Sequence, residues 1–473
     1  MSVTADEINY LIHRYLEESS CPHSAFIFGS ECRLDQANIQ TTQLPPQALL
    51  TILKKGVLYM QLEKGITEKA KINDSPESII VSLTESVRKE EPIIPVKPSA
   101  IKPKQNTTSI STRMHNKAFE PVMLPSSSAL FLCCHTKEVY CGSWSPDGRY
   151  FASGSADANA CIWEIREHQH IQHFVLDHAT QHDRNEKDIS TLSWNPNSTI
   201  LATGCLDGTI RLWNNRGELK FVLSHHESAI YTVQFSPDGT NLLSGSKDRK
   251  IILWNVLTGE IKQIFGYHQL HVLDIDWRDD TYFASCSGDN HIAIWQVGQT
   301  TPKYDLRGHQ AEVNQISWDV TKKYLASCSD DRTVRIWTPF DNNEHIILQG
   351  HTAHVYTVKW SPNDPKLLIS GAFDQTVRIW DIMNGTCLYT FTKHSQPIYS
   401  LCFSPKGNYF LSGALDMTLN IWRVSDFALI GSYQAKGGLF QAHWDPSGKN
   451  IAMCLSDGTI AVLSTENILL YDE

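Results

Sequence analysis

Residues 351–380 read HTAHVYTVKWSPNDPKLLISGAFDQTVRIW. Within them VYTVKW, KLLISG and TVRIW alternate or run apolar with β-branched and aromatic residues, the pattern of short strands. In other parts of the chain the break between such runs is Ser145-Pro146-Asp147-Gly148 or Ser236-Pro237-Asp238-Gly239, which are turn sequences. The stretch closes on Trp380, and that Trp belongs to a series: Trp163, Trp213, Trp254, Trp295, Trp337, Trp380 and Trp422. Their spacings of 50, 41, 41, 42, 43 and 42 residues are continued by Leu463, 41 residues on. A second series, Trp144, Trp194, Phe235, Trp277, Trp318, Trp360, Phe403 and Trp444, precedes the first unit by unit, and the two together hold all 13 tryptophans. A period of about 40 to 45 residues built of strands is that of a four-stranded propeller blade. Eight units predict an eight-bladed ring.

Three further positions keep this register. Asp157, Asp207, Asp248, Asp289, Asp331, Asp374, Asp416 and Asp457 each lie six residues before the closing Trp or Leu. Ser153, Ser244, Ser285, Ser327, Ser370 and Ser412, with Thr203 in the second unit, lie ten before it. His135, His226, His268, His309, His351 and His394 stand at the start of the unit. His, Ser, Asp and Trp in this order resemble the WD40 repeat. Quartets such as His309, Ser327, Asp331, Trp337 and His351, Ser370, Asp374, Trp380 are expected to run one hydrogen-bonded chain from indole N–H to carboxylate, satisfying buried polar atoms. The second unit has Asn185 at the His position and the eighth has Lys436, Met453 and Leu463, so these two blades are expected to be the looser ones. A constellation repeated six times is a fold device, whereas catalytic groups converge once in one pocket. No catalytic residue is assigned. Ring closure is expected from Ala129–Cys133 completing the last blade, in preference to the tail Asn467–Tyr471.

The WD40 resemblance also implies three positions per blade on the face where the leading loops meet the central channel. They flank the first apolar residue after the His and precede the Asp. These positions yield the peptide-binding candidates Tyr140, Tyr231, His271, Glu312, Asp330, Tyr356, Phe373, Tyr399 and Leu415, and in the eighth blade Leu439, Gln441 and Ser456. Aromatics beside carboxylates suit an extended peptide carrying apolar and basic side chains, and a histone tail fits that description. The 50-residue first spacing holds His168, His170, His173, His178 and His182. No paired ligand spacing backs a metal site there, so the insertion is read as a solvated loop and no metal or cofactor is expected.

Composition bounds the rest. The chain has 473 residues, 41% hydrophobic and 19% charged, and a formal charge of -10. An acidic balance disfavours direct, sequence-specific nucleic-acid binding. No apolar run is long enough to span a membrane and MSVTADEINYL lacks the layout of a signal peptide, so a cytosolic or nuclear protein with reduced cysteines is expected. Three segments divide the charge: residues 1–63 are acidic, 64–118 basic, and 119–473 acidic. In the first, Thr4 to Glu7 forms a capping box, and Ile8, Leu11, Ile12, Tyr15 and Leu16 then fall on one helical stripe. Ala25 and Phe28 lie on a second short helix, and a third begins at Pro45-Pro46 and carries Leu49, Leu50, Leu53, Val57 and Leu58. So small a core is expected to pack against another copy. The Pro-, Ser-, Thr- and Lys-rich residues 64–118 read as a disordered linker.

INYLIHRYLEESSCPHSAFIFGSE resembles the LisH motif, whose helices dimerise by burying this stripe. LisH, a short Leu-rich helix, a polar linker and WD40 repeats, in that order, resemble the transducin β-like family of F-box-like/WD-repeat corepressor subunits. The expected fold is thus an all-β eight-bladed WD40 propeller over residues 119–473, preceded by a small α-helical LisH oligomerisation domain over residues 1–63. The resemblance implies a non-enzymatic nuclear scaffold that self-associates as a dimer or tetramer, binds histone deacetylase corepressor complex subunits, and takes histone tails or other peptides on its propeller. No phosphate-cradling loop, nucleophile elbow or metalloprotease motif argues for chemistry of its own. An alternative reading makes the chain the substrate receptor of an SCF-type ubiquitin ligase, with Leu44–Val57 as its F-box.

Overall fold

In each unit the two-residue alternation and the intervening turns allow four antiparallel strands to form, and eight such sheets make a closed ring. This computed structural model describes residues 122–465 apart from 166–171, 179–186 and 342–344. The helices expected between Ile8 and Phe28, the Leu44–Val57 segment, the linker, the tail Asn467–Tyr471 and the insertion residues His168, His170 and His182 lie outside the described residues, as does Asn185. Blade 6 is representative: Val355–Trp360 innermost, then Leu367–Ala372, Val377–Asp381 and, outermost, Thr386–Phe391. Its third strand buries Val377, Ile379 and Trp380 against the neighbouring blades.

Ala129–Cys133 closes the ring, pairing antiparallel with Thr459–Ser464 from Ala129 opposite Leu463 to Cys133 opposite Thr459. One strand was not legible beforehand. Val122–Leu124 adds to the outer edge of blade 7, parallel to Leu429–Gln434, giving that blade five strands. The chain then turns through Ser126–Ser128 into the closing strand.

The hydrogen-bonded chain forms as expected in the six complete quartets. In blade 5 the Trp337 indole donates to Ser327 Oγ at 2.8 Å, His309 Nε2 lies 2.7 Å from that hydroxyl, and His309 Nδ1 lies 2.8 Å from Asp331. An imidazole protonated on Nδ1 satisfies every contact, with the Ser hydroxyl donating to Nε2. Burial lowers the pKa of His309 and of His351, which favours this neutral form. Burial works against the carboxylates too, but the bonds from His226 and His268 outweigh it and hold Asp248 and Asp289 at about 2.

Blade 2 corrects the sequence reading. Its hydroxyl partner is His178, from within the His-rich insertion: His178 Nε2 is 2.8 Å from Thr203 Oγ1, which also accepts from Trp213 at 3.0 Å. His178 Nδ1 meets the Leu176 carbonyl at 2.9 Å instead of Asp207. Burial, reinforced by Arg211, pushes its pKa down to about 4. Blade 8 replaces the quartet with apolar packing, Met453 and Leu463 being fully buried. The register puts Ala435, buried, at the His position in place of the expected Lys436; Lys436, one residue on, sets its ammonium 4.2 Å from the ring centroid of Phe131 on the closing strand.

The Asp also fixes its turn. Asp374 accepts the backbone N–H groups of Thr352 in the leading loop and Thr376 in the turn. The next residue has a left-handed backbone in every blade: Ala158, Gly208, Arg249, Asn290, Arg332, Gln375, Met417 and Gly458. Side chains other than glycine disfavour that region by about 1 kcal/mol. Glycine occupies it only in blades 2 and 8, the two whose Asp has no His to clamp it. A Cβ at Gly208 would also stand 3.0 Å from the carbonyl oxygens of His226 and Ser228.

Inner strands have no neighbour on the channel side, and side chains of the preceding blade take up their free N–H groups. Asp276 accepts from Trp318 N at 2.7 Å, Asp274 from Ile316 N at 3.2 Å, Gln315 from Val358 N at 3.0 Å, Ser400 from Ala442 N at 2.8 Å and Gln441 from Gly142 N at 2.9 Å. Four of the six Trp residues of the second series bridge the same kind of junction. Trp144, Trp194, Trp277 and Trp360 each donate their indole N–H to a backbone carbonyl of the preceding inner strand.

Two outcomes follow for stability. Asp374→Ala leaves the Nδ1–H of His351 only the 3.3 Å contact with Thr376 Oγ1 and costs about 2 kcal/mol. Adding Gln375→Gly to that variant is expected to recover about 1 kcal/mol, more than the same change gives in the wild type, when both are measured by urea denaturation. Burial also raises the pKa of Asp274 to about 7, the Lys359 charge only partly opposing it. The native carboxyl therefore keeps a proton that the unfolded one has lost, and this group makes native stability fall as pH rises from about 4 to 7. Asp274→Asn should gain on the wild type between pH 5 and pH 8; a constant difference across that range would refute the assignment.

Candidate peptide-binding mouth of the ring

Every inner strand carries a bulge at its second residue. In blade 6 Val355 pairs with Ala372 and Thr357 with Gly371, leaving Tyr356 between them unpaired, and the other seven blades repeat the shift. A bulge re-aims the side chain it frees. The eight residues so placed are Tyr140, Ser190, Tyr231, Leu273, Asn314, Tyr356, Tyr399 and Phe440, and the side chains of several reach toward the next blade at the channel mouth. Asn314 Nδ2 donates to the Val355 carbonyl at 2.9 Å, and the rings of Tyr231 and His271 meet edge-on at 6.0 Å.

From blade 6 to blade 1 these residues form a continuous aromatic arc. Ring centroids lie 5.0 Å apart for Tyr356 and Tyr399, 6.1 Å for Tyr399 and Phe440, and 5.4 Å for Phe440 and Tyr140. Phe373 packs on Tyr356 at 5.8 Å and on Tyr399 at 5.5 Å, and His354 stacks on Phe373 at 6.2 Å. Phe373 and Tyr399 are each 9% exposed and form the floor of the arc, while Tyr140, Tyr356 and Phe440 are half-buried and form its rim. Burial pushes the Tyr356 phenol up to about 12, so it meets a ligand as a neutral hydroxyl. Leu415, also half-buried, lies next to Gly438 in the sector of blades 7 and 8.

The carboxylates stand beside this arc. Asp330 accepts from Asn314 Nδ2 at 2.7 Å and lies 3.1 Å from His354 Nδ1; that bond raises the pKa of His354 against the effect of burial. Glu312 is the more available acid, 45% exposed and 3.7 Å from His271 Nε2. Apolar rings and acidic groups thus meet at blades 5 and 6.

Sequence counting missed Phe440. In the eighth blade Leu439 pairs with Leu455 as Val139 pairs with Ser155, so Leu439 is the buried apolar residue and the residues flanking it are Gly438 and Phe440. Leu439 and Gln441 are therefore not mouth residues; Gln441 belongs to the inner belt through Gly142 N. With no His in this blade there was nothing to count forward from. Counting back four residues from Trp444, as from Trp144 to Tyr140, finds Phe440.

The quartets cannot act on a substrate as built, since the hydroxyls of Ser153, Ser244, Ser285, Ser327, Ser370 and Ser412 are fully buried. Two histidines of the insertion are structural: His178 in its quartet, and His173, whose ring lies 5.1 Å from that of Trp163. Among the described residues no group of three or more His, Cys, Asp or Glu is placed to hold a metal.

Comparison with known proteins agrees with this architecture. The family described as WD domain, G-beta repeat matches residues 259–296, 300–338, 343–381 and 385–423, and that of the WD repeat-containing protein 75 first beta-propeller matches residues 65–267. F-box-like/WD repeat-containing protein TBL1X of Mus musculus is 35% identical over 98% of this chain and 99% of its own length. F-box-like/WD repeat-containing protein TBL1Y of Homo sapiens is 35% identical over 98% of this chain and all of its own. The crystal structure of the C-terminal WD40 domain of Sif2 superposes with a TM-score of 0.64 at 26% identity, covering 73% of this chain and 99% of that one.

The burial of Tyr399 separates support from recognition. Tyr399→Ala should cost about 3 kcal/mol in urea denaturation because it empties the centre of the arc. Tyr399→Phe keeps the packing and should stay within about 1 kcal/mol of the wild type. Equal losses would show that the hydroxyl, and not the ring, holds the arc together.

Proposed function

The chain belongs to the F-box-like/WD repeat-containing protein family, and from that premise we propose that it is a non-enzymatic scaffold subunit of a nuclear histone deacetylase corepressor complex. Its WD40 propeller is a protein-interaction platform. The observation that carries the finer reading is the mouth of the ring, where an unbroken arc of Tyr356, Tyr399, Phe440 and Tyr140 borders Glu312 and Asp330. An extended peptide with an apolar side chain to lay on the arc and a Lys or Arg to reach the carboxylates complements both halves, and a histone tail offers that combination. Association of copies through Ile8, Leu11, Ile12, Tyr15, Leu16, Ala25 and Phe28 would array several such mouths on one assembly. Weak single-site contacts then add by avidity.

Affinity purification with mass spectrometry tests the assembly: deacetylase and corepressor subunits should co-purify, and recovery of cullin and Skp without them would favour the ubiquitin-ligase reading. At the mouth, Glu312→Lys should weaken binding of a histone-tail peptide about tenfold in fluorescence polarisation without shifting the melting temperature. Unchanged affinity would remove the acidic sector from the site.

A further inference from the structure

Cys134 immediately follows the closing strand Ala129–Cys133, in the loop that leads into blade 1, and Cys161 sits on the third strand of blade 1, Asn159–Glu164. Their Sγ atoms are 2.7 Å apart, and both are free thiols. Cys161 is fully buried, with Ser153 and Val175 opposite it on the neighbouring strands, whereas Cys134 is half-buried and reachable from solvent. The remaining buried cysteines have no thiol at comparable distance among the described residues, and Cys133, next in sequence, is exposed.

The electrostatics of the pair are asymmetric. The Cys161 thiol donates to Cys134 and, with the neighbouring His135, outweighs desolvation and the Asp157 charge to bring Cys134 down to about 7. Cys161 is shifted far upward by the same hydrogen bond and by burial. One sulfur is thus partly exposed and readily ionised, and the other is buried, protonated and aimed at it. This is the arrangement of an attacking thiolate with a resolving partner.

We propose that Cys134 and Cys161 are an oxidative modification site, forming a reversible disulfide that fastens the exit of the closing strand to blade 1. The oxidant class is a peroxide. The Cys134 thiolate attacks one peroxide oxygen, the O–O bond breaks, and the departing hydroxide takes a proton to leave as water, giving the sulfenic acid. Cys161 sulfur then attacks the sulfenic sulfur, gives up its proton and expels the hydroxyl as a second water. Two thiols and one hydrogen peroxide yield one disulfide and two waters; the sulfurs lose two electrons and the peroxide gains them. A dithiol reductant reverses the step by exchange. The linked state pins the chain beside His135, whose ring carries the blade 1 quartet, and so restrains the one junction where the ring is closed by a strand from the other end of the propeller.

The full-length protein treated with one equivalent of hydrogen peroxide, then alkylated and digested without reductant, should give the linked peptides of Cys134 and Cys161 as the main cysteine product. Dithiothreitol should abolish the link, and the melting temperature of the oxidised protein should exceed that of the reduced form by roughly 5 °C. Cys134→Ser should show neither the link nor the shift; because that side chain is half-exposed and serine is close in size, this variant keeps the fold. Cys133→Ser should show both. Sulfinic acid at Cys134 with Cys161 still alkylatable after unfolding would overturn the proposal, as would a link made by Cys133 instead.

Discussion

The imidazole of the quartet is the joint on which each blade turns. It ties three parts of the chain that are distant in sequence: the leading loop, the second strand through its hydroxyl, and the turn before the third strand through the carboxylate. In blade 6 the link from His351 to Asp374 crosses 23 residues, and the same Asp holds the leading loop by the N–H of Thr352. With the carboxylate fixed from both sides, the turn tolerates a left-handed Gln375. Where the clamp is missing, glycine removes the need for it. Local conformation and long-range hydrogen bonding are therefore one device, and it sets where each turn stands at the mouth of the channel.

That placement is what makes a recognition surface possible. The bulge at the second residue of each inner strand aims one side chain toward the next blade, and the clamp sets the turn residue beside it. The fold thus offers eight equivalent stations and leaves their chemistry to the sequence. Blades 6, 7, 8 and 1 fill theirs with Tyr356, Tyr399, Phe440 and Tyr140, whereas blades 2 and 5 use Ser190 and Asn314, which hydrogen-bond to the next inner strand. Packing alone does not require this division. A polar station satisfies the adjoining carbonyl as well as an aromatic covers it, so the crowding of rings into adjacent blades is the observation on which the proposed peptide site rests.

Much of this was legible because the third-strand Trp is a large buried donor that demands a hydroxyl ten residues earlier and a turn six residues earlier. Antiparallel pairing converts those contacts into fixed sequence offsets, and Trp337, Asp331 and Ser327 were placed correctly from offsets alone. The readings that failed were those in which an insertion or a missing anchor broke the count. His178 reaches Thr203 from across the long spacing, so the offset that works in other blades lands on Asn185 instead. Phe440 was displaced by one residue because the eighth blade has no His to count from, and Ala435 rather than Lys436 holds that position. Val122–Leu124 is three residues between prolines, too short to show alternation, and its partner lies more than 300 residues away. The side-chain belt of Asp274, Asp276, Gln315 and Gln441 left no signal, since nothing in a single strand says that its channel-side neighbour will be missing.

Ring closure draws these observations together. A propeller is stable as a ring only if the junction between its first and last blades is as firm as the other seven, yet this junction alone depends on a strand delivered from the opposite end of the array. Blade 8 lacks the polar quartet and is held by apolar contacts through Met453 and Leu463, so its own clamp cannot supply the fixing. The incoming strand is anchored by its flanks instead. Upstream, Val122–Leu124 is paired to blade 7; downstream, His135 is bonded to Ser153 and Asp157 of blade 1. The closing strand in blade 8 therefore lies between two attachments on its neighbours. Peeling it requires a flank to open first, and loss of one flank leaves the strand tethered close to its partner by the other, where it re-pairs at high effective concentration. Three adjacent blades share the closure, which is why the blade with the least polar order can be the one that completes the ring.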